Sequence, residues 1–259
     1  MTRVWSGAAL VFLVIAVVWL APPLLFFAVA EVLLLLAFVE YSRLSSAVGY
    51  SLPAVVSGAA TLLASIAVTS AIALDAILMS AFVVLAALAL TTWRGDRDVL
   101  GRVSAAAFPM LYLGLPIGAL IAIRTVRGPA ALFLLMLTVM VSDTAQYYAG
   151  RKFGRTQLAP TISPKKTTEG ALGGFVFGML IMSVAGHWWL PDVSWLIRSL
   201  LGAVVVALGI AGDLFESMLK RSAGVKDSSA LIPGHGGVLD RIDALLFAAP
   251  IYYVVLKYV

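Results

Sequence analysis

Long apolar runs follow one another along this chain with only short polar interruptions. A helix that crosses a bilayer needs about 20 apolar residues. The runs predict nine such helices, at roughly 4–20, 22–39, 52–70, 72–91, 103–123, 129–149, 170–186, 194–212 and 243–258. Pro22 and Pro23, in "APPLL", divide the first two, because Pro is poorly tolerated inside a helix. If they only kink one tilted helix, the number falls to eight. The gap between the third and fourth, in "TSAIALDA", is equally short. The expected fold is therefore all-α: one polytopic integral membrane domain with no soluble domain and no cleavable leader. Its N-terminal helices occupy 1–123 and its C-terminal helices 124–259.

Composition supports that reading. The chain is 62% hydrophobic and 12% charged, with mean hydropathy +1.03, whereas a soluble domain is about half apolar and a quarter charged. Cys is absent, which excludes disulfides and Cys-ligated zinc. Of the 18 Lys and Arg, only Arg124, Arg127 and Lys257 fall on one side of a nine-span topology, and Arg198 falls inside a span. The remaining fourteen collect on the other side, which the positive-inside rule assigns to the cytoplasm. Two polar stretches, 150–169 and 213–242, then share that side. One helical hairpin separates them, so they are able to meet.

These two stretches hold most of the candidate chemistry. In "GDLFESMLKR" a helical continuation puts Asp213, Ser217 and Lys220 on one face. The bland alternative is a helix end with an ordinary solvated face. In "IPGHGGVLDRID" the glycines permit close backbone approach to a phosphate, and Asp240 and Asp243 lie one turn apart. Two carboxylates at a membrane boundary are costly unless paired or bound to a cation; their bland reading is a helix cap that favours the dipole. With no Cys and two His in the chain, His235 suits a hydrogen bond to phosphate or to the loop better than zinc. "VSDTAQYY" places Asp143 inside an apolar helix. "ISPKKTTEG" supplies Ser163, Lys165, Lys166 and Thr167, a set suited to a polyphosphate, or simply a positive-inside loop. Gly170, Gly174 and Gly178 recur every four residues and mark close helix packing. Glu31 is expected to face the bundle interior beside an unnamed partner. Glu40 and Arg43 are expected to form a helix-end ion pair, and His187 to sit in an aromatic belt.

The second polar stretch resembles the signature of the phosphatidate cytidylyltransferases, the CDP-diacylglycerol synthases. Ser217, Leu219, Lys220, Arg221, Lys226, Asp227, Ile232, Pro233, His235, Gly236, Gly237, Asp240, Arg241, Ile242 and Asp243 stand in its register. "SDTAQYYAGRKFG" and "SPKKTTEGALGG" are similar to the family's other polar region. The resemblance covers about residues 140–259. It implies transfer of a cytidylyl group from CTP to phosphatidic acid, giving CDP-diacylglycerol and pyrophosphate. It implies Mg²⁺, with Mn²⁺ as a substitute and a monovalent cation such as K⁺ as a further aid. It also implies membrane lipids as neighbours, a homodimer and no nucleic-acid partner. Within that reaction Asp213, Asp240, Asp243 and Asp143 are the expected metal ligands. Lys165, Lys166, Lys220, Arg221, Lys226 and Arg241 are expected to clamp phosphates. Asp227 completes the shell or orients a Lys, Gly236 and Gly237 offer backbone donors, and Ser163, Thr167 and Ser217 line the substrate. Two other readings remain open on the sequence: a related CDP-archaeol-type enzyme and an anion transporter.

Overall fold

A computed structural model describes residues 2–95, 98–232, 234 and 236–259, with the side chains of 2–6 and 8–10 outside the description. The apolar runs form helices. α1 (Thr2–Leu20) ends before Pro22 and Pro23, and α2 (Pro23–Val48) begins with Pro at its first position, where the missing N–H costs nothing. α2 stops at Gly49, whose φ of 109° suits a residue without Cβ. α3 (Ala54–Thr69) and α4 (Leu74–Thr92) follow. α5 (Val99–Pro109) passes through a π-helical turn (Met110–Gly114) into α6 (Leu115–Phe153), which is broken at Gly128 (φ 84°) just before Pro129. α7 (Thr168–Trp189), α8 (Trp195–Ser222) and α9 (Leu239–Tyr258) complete the helices.

Among the described residues, five helical runs are long and apolar enough to cross a membrane: Pro23–Val48, Leu74–Thr92, Val99–Phe153, Thr168–Trp189 and Trp195–Ser222. Val99–Phe153 takes in two of the expected spans, joined across the break at Gly128. Ala54–Thr69 is shorter, and α9 carries Asp240, Arg241, Asp243 and Lys257 within its 20 residues. Two helices overrun their apolar runs. α2 continues to Val48 and α8 to Ser222, because charged residues are good helix formers once the chain leaves the oil. The all-α expectation is short of one small element. The polar stretch after α6 folds into an antiparallel hairpin of β1 (Gln157–Ala159) and β2 (Ser163–Thr167), closed by a turn at Pro160–Ile162. Pro164 is tolerated there because a two-stranded hairpin is all edge.

One buried cluster joins Phe26, Leu34, Phe38 and Tyr41 of α2 to Leu132 and Leu135 of α6, Met182 of α7 and Leu246 and Tyr252 of α9. The glycine repeat on α7 packs against α6 as expected. A Cβ at Gly170 would lie 2.8 Å from the Gln146 carbonyl oxygen, and one at Gly174 would lie 2.5 Å from Gln146 Cγ. That close approach fixes the end of α6, which carries Asp143, against the hairpin and the start of α7.

Candidate active site

Four segments bring their polar residues to one end of the bundle. α6 contributes Asp143, β2 contributes Lys166, the polar last turns of α8 contribute Asp213, Glu216, Ser217 and Lys220, and the start of α9 contributes Asp240 and Asp243. Lys166 Nζ lies 2.6 Å from Asp213 Oδ2. Ser217 donates to Asp213 Oδ1 at 3.4 Å. Asp143, Asp213 and Asp243 are near enough for Asp213 to repel each of the other two, and Asp143 also acts on Asp243. Like charges so gathered call for cations, and Lys166 is one of them, acting on Asp143 as well.

Lys220 is the second. It is buried, 2.5 Å from Asp240 Oδ1, and ion-paired with Glu216 one turn back on α8. Glu216 is fully buried, and Lys220 is its sole partner among the described residues. Sequence reading passed over Glu216, although its spacing to Lys220 is the i, i+4 pairing that should have drawn notice. The other Asp240 oxygen accepts from Gly237 N at 2.7 Å, Ser228 Oγ at 2.8 Å and Ser228 N at 3.0 Å. Burial alone would raise this carboxyl. The Lys220 ammonium, the Gly237 N–H and the Ser228 donors outweigh burial and hold it down to about 2. A depressed carboxylate stabilises the fold above its unfolded pKa, so this contribution is complete at neutral pH and is lost as pH falls towards 2. Of the four expected metal ligands, Asp213 and Asp240 have both oxygens engaged, Asp240 the more fully.

The glycine loop owes its position to a residue far away in the chain. Glu40, on α2, is 2% exposed. It does not sit at a solvated helix end, as expected for a pair with Arg43. Its carboxylate accepts from Ser229 Oγ at 2.6 Å, Leu239 N at 2.8 Å, Ser228 Oγ at 2.9 Å and Val238 N at 3.0 Å. Val238 and Leu239 begin α9, whose first N–H groups have no partner within the helix. Glu40 is thus a helix cap supplied from another helix. Its four donors also fasten both ends of the segment 228–239. Glu31, likewise buried, accepts from Ser65 Oγ at 2.8 Å, which names the interior partner that sequence reading left open.

The remaining expected residues are dispersed. Strand alternation turns Lys165 to the exposed side while Lys166 meets Asp213. Thr167 spends its hydroxyl oxygen as the N-cap of α7, accepting from Gly170 N at 3.1 Å. Ser163 pairs in the hairpin with Ala159. Arg221 donates to the Val225 carbonyl at 2.9 Å and, like Lys226, Asp227 and Arg241, is exposed. Gly236 has a φ of 79°, and a Cβ there would lie 2.6 Å from Asp240 Oδ2, so the turn requires glycine twice over. Gly237 is buried beside Glu40 and Ser228. His235 and Pro233 lie outside the described residues. His187 stacks edge-on against Trp188 at 5.3 Å.

The chain is 44% identical over 125 residues to a phosphatidate cytidylyltransferase of Aquifex aeolicus, a match covering 48% of this chain and 46% of that protein. It is 37% identical over 174 residues to one of Thermotoga maritima, covering 65% and 64%. It is 48% identical over 132 residues to one of Synechocystis, covering 50% and 44%. The chain thus spans about half to two thirds of the length of the curated relatives it matches. The sequence pattern of the Cytidylyltransferase family, by contrast, runs from residue 1 to residue 259, taking in the apolar first half that carries Glu40 together with the polar face it braces, and the chain belongs to that family.

Proposed function

We propose that the chain transfers the cytidylyl group of CTP to phosphatidic acid, yielding CDP-diacylglycerol and pyrophosphate at a membrane face. One observation supports this most: two lysines and four aspartates from four separate segments converge at one end of an apolar helical bundle. The attacking atom is a phosphatidate oxygen. Its bond to the α-phosphorus of CTP forms as the bond from that phosphorus to the bridging oxygen breaks, and pyrophosphate leaves with the electron pair. A phosphate monoester loses its second proton near pH 6, so the nucleophile arrives ionised and a strong base is unnecessary. The obstacle is bringing an anion against a polyanion. Lys166 and Lys220 lower it by neutralising and aligning phosphate oxygens.

The carboxylates suit Mg²⁺, which takes hard oxygen ligands and shares them with phosphates. As placed, no three of the described acidic or imidazole groups are close enough to enclose an ion. Their mutual repulsion is nevertheless the condition a divalent cation relieves. Asp143, Asp213 and Asp243 would hold it, joined by Asp240 Oδ1 when Lys220 releases that oxygen. Bound there, Mg²⁺ supplies positive charge against the polyphosphate. The direct test is detergent-purified protein with phosphatidic acid, Mg²⁺ and each nucleoside triphosphate in turn. CTP-dependent formation of a nucleotide-linked lipid is expected, and its absence with every nucleotide would reject the reading.

The nine-span topology belongs to the same proposal, with 150–169 and 213–242 on the cytoplasmic face of a bacterial inner membrane. Thr156 and Ala230 are exposed, one in each stretch. Cys placed singly at either should react with impermeant thiol reagents from the cytoplasmic side alone. The chain has no native Cys to confuse the result. Labelling of the two from opposite sides would separate stretches that the site needs together.

The hairpin makes a finer prediction. Lys166→Ala should lower turnover about 30-fold, roughly 2 kcal/mol of transition-state stabilisation. Lys165→Ala should cost about threefold, since that ammonium points away from Asp213. Steady-state kinetics of the two single mutants decides it. Equal losses would mean that both lysines act only through the general field of the loop.

A further inference from the structure

Tyr112 lies in the π-helical turn Met110–Gly114, inside an otherwise apolar stretch of sequence. π-turns are rare and weak, and they concentrate at functional sites. This one presents a tyrosine that is 4% exposed and whose hydroxyl has no hydrogen-bond partner among the described residues. A buried phenol normally finds a partner. Its ring is held by Phe108 at 5.3 Å, Phe215 at 5.3 Å and Phe247 at 6.3 Å. Phe215 precedes Glu216, and Phe247 lies one turn beyond Asp243 on α9. Tyr112 thus packs against the residue next to Glu216, on the helix that also carries Lys220.

Glu216 is the other half of the observation. Its Oε2 meets the Lys220 ammonium, and its Oε1 has no hydrogen-bond partner among the described residues. In the reading proposed above, on which this inference rests, Lys220 turns to a substrate phosphate. Swinging towards the phosphate lengthens its contacts with Glu216 and Asp240. Asp240 retains Ser228 and Gly237 when Lys220 departs. Glu216 retains nothing, and a bare buried carboxylate is costly.

We propose that Tyr112 is a positioning residue for this site, whose hydroxyl donates to the Glu216 carboxylate when Lys220 turns to substrate phosphate. No bond is made or broken in this exchange; one charge-assisted contact replaces another. The hydroxyl is then a donor held in reserve, presented from the π-turn.

Tyr112→Phe tests this by removing a single oxygen and no packing. Because that oxygen has no partner among the described residues, the ligand-free mutant should unfold at the same temperature as the wild type or higher. Mg²⁺ with pyrophosphate, used as the polyphosphate probe, should raise the melting temperature of the wild type and raise that of the mutant by less than half as much. Turnover should fall about 20-fold through kcat, with KM for CTP little changed. A ligand-free mutant that melts several degrees lower would show the hydroxyl already partnered and overturn the inference. So would a mutant whose probe response and kcat match the wild type. If the wild type neither responds to pyrophosphate nor makes lipid product, the proposed function fails instead, and the ligand-free melting comparison still judges Tyr112.

Discussion

Glu40→Gln is expected to inactivate the protein from outside the polar cluster. The change keeps the shape of the side chain but replaces one acceptor oxygen with an NH₂ group. Glu40 receives two hydroxyls and two backbone N–H groups, with Val238 N on one oxygen and Leu239 N on the other. Whichever way the amide turns, its NH₂ faces one of those N–H donors. Hydrogen bonds to a buried charge are worth about 1.5–3 kcal/mol each, so the clamp on 228–239 should lose roughly 3 kcal/mol. Asp240 depends on that segment through Ser228 and Gly237, and Asp240 places Lys220. Turnover should fall about 100-fold, and limited proteolysis should cut first in 226–237 while the helices stay intact. Glu40→Asp should do little better, since a shorter arm cannot reach both ends of the segment. Wild-type turnover in Glu40→Gln, with an unchanged digestion pattern, would reduce Glu40 to a bystander.

Asp243→Asn should separate activity from stability in the opposite sense. Asp243 is repelled by Asp213 and Asp143, and its carboxylate accepts only from the adjacent Ala244 N, at 2.8 Å, among the described residues. Removing its charge relieves repulsion at little structural cost, because the amide oxygen still accepts that bond. The ligand-free mutant should melt at the wild-type temperature or a few degrees above it, as is common when a functional charge is deleted. Turnover should fall about 1,000-fold, roughly 4 kcal/mol, and the Mg²⁺ concentration for half-maximal rate should rise. Melting curves and a Mg²⁺ titration measure both arms. A mutant that loses stability and keeps its Mg²⁺ dependence would make Asp243 a structural group and take it out of the ion's shell.

The two mutants probe kinds of residue that differ in how far the sequence reveals them. Helix placement was legible because each run of apolar residues must be buried or face lipid, and the runs at 129–149, 170–186 and 194–212 all lie within helices. The ends were not, because the polar turns that carry α8 on to Ser222 leave no hydrophobic signal. Asp213 and Lys220 on α8, and Asp240 and Asp243 on α9, were legible as two pairs because local spacing puts each pair on one face of its helix. The hairpin was hidden: its strands of three and five residues are too short and too polar for period-two alternation to register. Glu40 was assigned to its nearest basic neighbour in sequence, and nothing nearby points to donors at 228–239. Tyr112 lies inside an apolar run, where nothing in the sequence sets it apart.

The inter-helix cap has a consequence for how the chain is built. Translation delivers Glu40 early, within the second helix, and every donor it finally receives belongs to residues 228–239. For most of synthesis the carboxylate therefore waits without those donors while α3 to α8 are added around it. The start of α9 supplies the N–H groups that quench it, and the same contact fixes the loop beside Asp240. Addition of α9 and organisation of the polar face are thus a single event, and a polypeptide still lacking that helix holds this acid without the N–H groups at its start.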